Sequence, residues 1–225
     1  MTLTGTAAAA DILVPAFSAS GHPLDLPGRL VLPDSARGLV LFAHGSGSSR
    51  TSPRNRHVAE VLHETWLGTL LFDLLTEREA ADRVNVFDIG LLGERLTAAI
   101  AFVRSRETTA PLPLGLFGAS TGAAAALIAA AQEPRVAAVV SRGGRPDMAG
   151  AALGRVHCPT LLVVGGHDEE VLALNRLALE RLDCEKRLAV VPGATHLFEE
   201  PGALEEVARL AAEWFARHLH PKGTS

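Results

Sequence analysis

Cysteine and lysine are scarce in this chain of 225 residues. Its two cysteines, Cys158 and Cys184, are too few for a disulfide framework and do not have the spacing of metal ligands. Residues 1–7 lack the positive start and apolar core of a secretory signal. We therefore expect a protein of the reducing cytoplasm.

Excess positive charge is also missing. The formal net charge is −4, and lysine occurs only at Lys186 and Lys222. This balance argues against a nucleic-acid or anionic-membrane partner. Residues 112–131 are apolar enough to suggest a membrane span, but proline, glycine and a Ser-Thr pair interrupt them. A buried strand followed by a buried helix explains this stretch better.

Hydrophobic residues make up 48% of the chain and charged residues 20%, and no repeat or linker divides it. We expect a single domain over residues 1–225. Proline-bounded runs at 12–17 and 29–32 predict two antiparallel edge strands. Buried strands are predicted at 38–43, 68–72, 112–117, 136–140, 160–164 and 187–191. Helices are predicted at 53–66, 87–106, 121–133, 171–182 and 203–218.

This alternation predicts an α/β fold: a mostly parallel, twisted sheet of about eight strands with helices on both faces. Ligands bind such sheets beyond the carboxyl ends of the strands. Only residues 141–157 occupy the place where many proteins of this type insert a cap, so we expect no cap domain and an open site. The role of the charged loop 76–85 is not predicted.

A Gly-x-Ser-x-Gly motif at residues 118–122 lies between an apolar run and an alanine-rich helical segment. This layout is typical of a nucleophile elbow, with Ser120 on a tight turn. The alternative is a turn of small residues between two buried elements. A P-loop is excluded because the Gly-Lys-Ser/Thr ending is absent.

Ser120, Asp168 and His196 follow three different predicted strands, in the chain order Ser, acid, His. A serine hydroxyl needs a base to take its proton, and the base needs an acid to orient it. Glu169 and Glu170 are rival acids, although one or both more naturally begin the next helix. Asp147 is a weaker rival acid. His167 is a rival base, but its loop does not place it over the serine.

Two backbone amides are predicted to hold the oxyanion of the tetrahedral intermediate. The first is the N–H of Thr121, at the start of the helix after the elbow. The second is the N–H of Ser46, in the loop after the strand 38–43. The alternative for this loop is a glycine-serine segment without a role. We expect His44 to shape the loop, and it is also a candidate substrate contact.

The motifs around residues 42–48, 118–122, 164–168 and 193–198 resemble those of α/β-hydrolases of the dienelactone hydrolase-like family, over essentially the full chain. The resemblance implies a triad of Ser120, Asp168 and His196, no metal and no organic cofactor. The name-giving enzymes use a cysteine nucleophile, whereas residue 120 here is serine. The resemblance therefore implies cleavage of small carboxylic esters, including lactones, rather than of dienelactone itself.

Arginines near the carboxyl edge of the predicted sheet, which we call the rim, are candidates to bind an anionic part of the substrate, with Arg142 and Arg50 as the leading pair. The alternative is that they form ion pairs, with Asp73 or Asp147 as partners. Acyl transfer or perhydrolysis on the same triad, and a non-catalytic binding module, are the other functions left open. The oligomeric state is not predicted.

Overall fold

In the computed structural model, which describes residues 7–18 and 20–219, eight strands form one sheet. The strands are β1 (Ala7–Phe17), β2 (Pro23–Pro33), β3 (Gly38–Ala43), β4 (Leu67–Phe72), β5 (Leu114–Ala119), β6 (Val136–Arg142), β7 (Thr160–Gly165) and β8 (Lys186–Val191). Their order is β1-β2-β4-β3-β5-β6-β7-β8. β2 pairs antiparallel with β1 and β4, and every other pair is parallel. The predicted fold class is confirmed.

Among the described residues, six α-helices lie between strands and a seventh follows β8. They are α1 (Pro53–Glu64), α2 (Glu77–Ala80), α3 (Arg83–Val86), α4 (Ile89–Arg104), α5 (Thr121–Gln132), α6 (Glu169–Arg181) and α7 (Ala203–His218). Alternate residues of each central strand face opposite layers. Leu39 and Leu41 of β3 belong to the core cluster that includes α4 and α5, whereas Val40 and Phe42 belong to the cluster that includes α1 and α7. Helices therefore cover both faces of the sheet.

The first hairpin differs from its prediction. β1 and β2 have eleven residues each, and β2 is not an edge strand, because residues 28–31 pair with β4 as well as with β1. Pro23, Pro27 and Pro33 lie outside that doubly paired stretch. No proline therefore stands at a position of β2 that is paired with a strand on each side.

The loop after β4 contains two short helices that were not predicted. Thr76 and Glu79 form a capping box at the start of α2, and the Asp82 side chain caps α3. The Thr-x-x-Glu spacing is the signal that marks such a helix start. Asp88 caps α4, which therefore begins at Ile89 and not at Phe87.

The connection from β6 to β7 is a 3₁₀ segment, Pro146–Arg155, that bends at Gly150. No cap domain is inserted between these two strands, as expected. Among the described residues, no helix is long and apolar enough to cross a membrane.

Phe215 of α7 is fully buried in the core cluster on the α1–α7 face of the sheet, whereas Phe17 at the end of β1 is 68% exposed. We expect Phe215→Ala to lower the free energy of unfolding by about 3–5 kcal/mol, because it removes buried apolar surface and leaves a cavity. Phe17→Ala makes the same chemical change at the surface and should cost less than about 0.5 kcal/mol. Urea unfolding of both variants measures the difference, and equal losses would contradict this packing.

Candidate active site

Ser120 lies on the turn between β5 and α5, with φ 51° and ψ −122°. A positive φ is rare for residues other than glycine and marks a strained turn. The surrounding backbone holds it: the Ser120 N–H donates to the Arg142 carbonyl at 3.2 Å, and the Ser120 carbonyl accepts from the Arg145 N–H at 3.1 Å. The serine side chain is thereby held at the carboxyl edge of the sheet.

Both glycines of the Gly-x-Ser-x-Gly motif are required by close backbone approach. A Cβ at Gly118 would lie 2.4 Å from the Ala123 Cα, and one at Gly122 would lie 2.2 Å from the Ala43 carbonyl oxygen. Neither neighbour is a side chain that rotates away, so any other residue displaces α5 or the end of β3. The motif is therefore a steric requirement of this turn.

His196 and Asp168 meet at the same edge of the sheet. His196 Nδ1 and Asp168 Oδ2 are 2.7 Å apart, and the aspartate side chain is 14% exposed. The loops that carry them are joined by the His167 N–H, which donates to the Ala194 carbonyl at 2.9 Å. If Nδ1 carries the proton, its N–H donates a hydrogen bond to Asp168, and Nε2 is left free as a base.

The position of the His196 ring relative to Ser120 follows from Gly143, the residue after β6. A Cβ at Gly143 would lie 3.6 Å from His196 Cε1. Gly143 directly follows Arg142, whose backbone carbonyl accepts the Ser120 N–H. Histidine and serine are thus neighbours across the ends of β5 and β6. Among the described residues no hydrogen bond joins Ser120 Oγ to the His196 ring, and such bonds often tighten only when substrate binds.

The loop after β3 packs directly against the elbow. The Ser46 N–H donates to Thr121 Oγ1 at 3.0 Å. The Thr121 N–H lies at the N-terminus of α5, where helix amides have no partner within the helix and carry partial positive charge. The two amides predicted for the oxyanion are therefore adjacent, and one of them donates to the side chain of the other residue.

His44 connects the loops after β3 and β4. Its Nε2 accepts the Leu74 N–H at 3.0 Å, and its Nδ1 lies 3.0 Å from the Gly45 carbonyl. Both bonds form together only when Nδ1 is protonated and Nε2 is not. Burial lowers the pKa of His44 below its ordinary value of 6.5, partly offset by its hydrogen bond to Gly45. His44 therefore uses both ring nitrogens to shape the rim, as its loop position suggested.

Arg50 and Asp73 form an ion pair between the loops after β3 and β4. Asp73 Oδ1 also accepts the Arg50 N–H at 2.7 Å. Arg145 pairs with Asp147 through two hydrogen bonds, of 2.9 and 2.8 Å. Each predicted acidic partner thus pairs with one rim arginine, so the ion-pair alternative describes these contacts.

Arg142 is 7% exposed, and its Nη2 donates to Asn55 Oδ1 at 3.4 Å. Burial, with repulsion from Arg54 in addition, lowers the pKa of Arg142 to about 10. The Arg142 side chain lies under the rim against α1. It is not among the residues that line the cavity described below.

Two rival acids and the two cysteines occupy other parts of the structure. Glu169 and Glu170 form the first turn of α6, as expected. Cys158 and Cys184 lie at the opposite end of the sheet, near Thr160 at the start of β7, and burial raises the pKa of Cys158 to about 12. Within the described ranges no group of three or more His, Cys, Asp or Glu residues is arranged to hold a metal ion.

A cavity of about 750 Å³ opens beside the elbow. Its polar side is the loop from His44 to Thr51 with Asp73, and its other side includes the apolar residues Leu75, Ala80, Val86, Phe87 and Leu92. Ser120 and His196 are not among the lining residues, but Gly45 is, and a Cβ at Gly45 would lie 2.8 Å from Ser120 Cβ. This apolar side was not predicted, because all of it except Leu92 belongs to a loop without hydrophobic periodicity.

The strand order, with the serine after β5, the aspartate after β7 and the histidine after β8, defines an α/β-hydrolase. The model of the dienelactone hydrolase family matches residues 74–220, more than half of the chain. The chain belongs to the dienelactone hydrolase family. The resemblance inferred from the motifs is confirmed.

Solved structures agree with this fold. A crystal structure of dienelactone hydrolase from Anabaena variabilis is 52% identical in sequence, covers 95% of this chain and 99% of its own, and has a TM-score of 0.90. A cold-adapted esterase from an Arctic intertidal metagenomic library is 19% identical, covers 97% of this chain and 96% of its own, and has a TM-score of 0.71. The second likeness is one of fold alone.

A curated protein of Mycobacterium tuberculosis named "Putative phosphoribosyl transferase" is 58% identical over 205 residues. The match covers 90% of this chain and 46% of that protein. The chain thus spans about half the length of the curated relatives it matches.

His44 must be neutral to donate through Nδ1 and accept through Nε2, so the stability of the protein should depend on pH. Because the folded pKa is lowered, the unfolded chain binds the proton more tightly, and the stabilisation by neutral His44 is complete above pH 6.5 and lost below it. His44→Gln keeps an acceptor for the Leu74 N–H but does not titrate. We expect its free energy of unfolding to fall less steeply with acidification than that of the parent protein.

Urea unfolding between about pH 8 and pH 5 measures these slopes. His22→Gln, a change at an exposed histidine of the β1–β2 turn, is the matched control and should keep the slope of the parent protein. Identical slopes for the parent protein and His44→Gln would refute the assignment of a neutral His44.

Proposed function

We propose that this protein is a serine hydrolase that cleaves small carboxylic esters, including lactones, through an acyl-enzyme. The observation that carries the proposal is the strained Ser120, held at the same edge of the sheet as a His196–Asp168 pair 2.7 Å apart. A strained residue beside an oriented histidine is an arrangement that catalysis uses and that folding does not need. The proposed site lies within a single chain and requires no metal or organic cofactor.

In the first half of the reaction, Ser120 Oγ attacks the carbonyl carbon of the ester while His196 Nε2 takes the hydroxyl proton. Asp168 holds the imidazole by its hydrogen bond to Nδ1 and stabilises the imidazolium. The tetrahedral intermediate collapses when the C–O bond to the alcohol breaks. His196 returns the proton to the leaving alcohol, and the acyl group stays on Ser120.

In the second half, His196 removes a proton from water, and the hydroxide attacks the acyl carbon. The bond to Ser120 Oγ breaks, the serine recovers its proton from His196, and the carboxylic acid leaves. The open rim supports the access of water, since only the 3₁₀ segment connects β6 to β7.

The N–H groups of Thr121 and Ser46 are proposed to hold the oxyanion. The Ser46 amide donates to Thr121 Oγ1 at 3.0 Å, so it already points toward the start of α5. We infer that the carbonyl oxygen of the ester takes over this N–H as negative charge develops. Donors placed in advance stabilise the transition state more than the ground state.

The three rim side chains predicted as substrate contacts differ in whether they can reach a substrate in the cavity. Arg50 and His44 line the cavity, but their polar atoms pair with Asp73 and with backbone groups. They support the cavity wall more directly than they offer free donors. Arg142 is buried against Asn55, so a substrate contact there would need the side chain to move.

Other functions have less support from the site than ester hydrolysis. Acyl transfer and perhydrolysis use the same acyl-enzyme, and product analysis with added alcohol or hydrogen peroxide distinguishes them from hydrolysis. A non-catalytic binding module would not need the three polar groups at one edge. The transferase name of the mycobacterial relatives belongs to proteins about twice as long, and no observation on this chain favours phosphoribosyl transfer.

Ser120→Ala should abolish turnover without loss of fold. We expect kcat/KM for p-nitrophenyl acetate to fall at least about a thousandfold, because no other hydroxyl takes the place of the nucleophile. A fluorophosphonate probe should label the parent protein and not this variant. Ser105→Ala, a serine change at the far end of α4, is the control and should keep full activity. Retained hydrolysis or labelling in Ser120→Ala would refute the proposed nucleophile.

Asp168→Asn and Glu170→Gln together test the proposed acid against one of its rivals. The amide keeps the size of the side chain but no longer stabilises the imidazolium, so we expect kcat to fall about a thousandfold or more. Glu170→Gln, the same chemical change two residues later on α6, should leave kcat within about twofold of the parent value. Steady-state kinetics on p-nitrophenyl acetate compare the two. Greater loss in Glu170→Gln would transfer the role to that residue.

A further inference from the structure

The segment of residues 76–88, between β4 and α4, forms one side of the cavity beside the elbow. We call it the wall segment. Neither of its short helices, α2 and α3, contains a buried residue. Five of its residues nevertheless line the cavity: Glu77, Ala80, Arg83, Val86 and Phe87. A segment with so little buried surface needs polar contacts to hold one position.

Arg95 supplies the contact with the core. It lies on the buried face of α4 and is 1% exposed, and its Nη2 donates to Glu79 Oε1 at 2.6 Å. Its Nε and Nη1 are also buried. A buried guanidinium is tolerated when a carboxylate pairs with it, so Glu79 and Arg95 hold each other in place.

Glu79 also connects the rest of the wall segment. Its Oε2 accepts the Thr76 N–H at 2.9 Å and the Thr76 hydroxyl at 3.0 Å. Its own N–H donates to Thr76 Oγ1, and its carbonyl accepts from Asn85 Nδ2 at 3.0 Å. Through its side chain and its backbone, Glu79 thus joins Thr76, both short helices and α4.

The cavity is divided by chemistry. The loop from His44 to Thr51, in which Gly45 packs against Ser120, forms a polar side, whereas Leu75 and Leu92 with Val86 and Phe87 form an apolar side. Phe87 is 45% exposed, and the Arg83 guanidinium lies over its ring at 5.6 Å. An ester bound in this cavity would place its carbonyl toward the polar side and an apolar substituent against the wall segment.

We propose that the wall segment selects esters with a large apolar acyl or alcohol group, of the size of an aryl ring or a medium alkyl chain. Phe87 and Val86 contact that group, and Glu79 and Arg95 are positioning residues that hold them. This inference rests on the proposed ester hydrolysis, since it names the substrate class of the same site.

The test compares a small and a large apolar ester in the full-length protein. The acyl series is p-nitrophenyl acetate and p-nitrophenyl hexanoate, and the alcohol series is methyl butyrate and benzyl butyrate. We expect Phe87→Ala and Glu79→Gln to lower kcat/KM for the larger ester of one series about tenfold, through KM. Values for the smaller ester should stay within about twofold.

Arg95→Met should act like Glu79→Gln, and Arg95→Lys, which keeps the charge, should recover part of the selectivity. Glu133→Gln removes the carboxylate of an Arg–Glu pair at the far end of α5 and is the matched control. If Glu79→Gln or Arg95→Met does not fold, Phe87→Ala alone decides, because its side chain is exposed. Equal loss on small and large esters, or unchanged selectivity in Phe87→Ala, overturns the proposal.

A binding measurement keeps this result separate from catalysis. N-Phenylhexanamide, which resembles a large ester but resists hydrolysis, is titrated by calorimetry into Ser120→Ala with and without Phe87→Ala. About tenfold weaker binding in the double variant supports the wall segment even if no ester is cleaved. Equal binding in the two proteins overturns it even if Ser120 proves to be the nucleophile.

Discussion

The close contact between the elbow and the end of β3 is the constraint on which the site depends. Ser120 keeps a positive φ only while α5 begins immediately behind it, and Gly122 permits this by approaching the Ala43 carbonyl without a side chain. The same approach brings the Ser46 loop against Thr121. The proposed nucleophile and the proposed oxyanion donors therefore share one steric origin, and neither is placed independently of the other.

Polar contacts between loops hold the rest of the rim. His44 joins the loops after β3 and β4 through two backbone groups, and Arg50 joins the same loops through Asp73. The ion pair between Glu79 and Arg95 holds the wall segment against α4. Hydrophobic burial stabilises the sheet and its helices, but the loops at its edge have too little apolar surface for that. Hydrogen bonds and ion pairs with defined geometry take over there.

Much of the fold could be predicted because strands buried on both faces are continuous apolar runs, and residues 38–43 were assigned with their observed bounds. The helices α2 and α3 escaped because single turns have no periodicity to detect, although the Thr76–Glu79 capping box was present. The inner position of β2 was not predicted for a different reason. The prolines indicated an edge strand, and only the register shows that the stretch paired with β4, residues 28–31, contains no proline.

The sequence by itself determined the chain order of the candidate serine, acid and histidine, each after a different strand, together with the glycines that a tight turn requires. These features are local or follow from the rule that parallel strands end at one edge. Only the tertiary structure decided which arginine faces which acid, that Arg142 is buried, and that Arg95 reaches Glu79. Long charged side chains pair with residues from segments distant in the chain, and sequence spacing carries no information about such ion pairs.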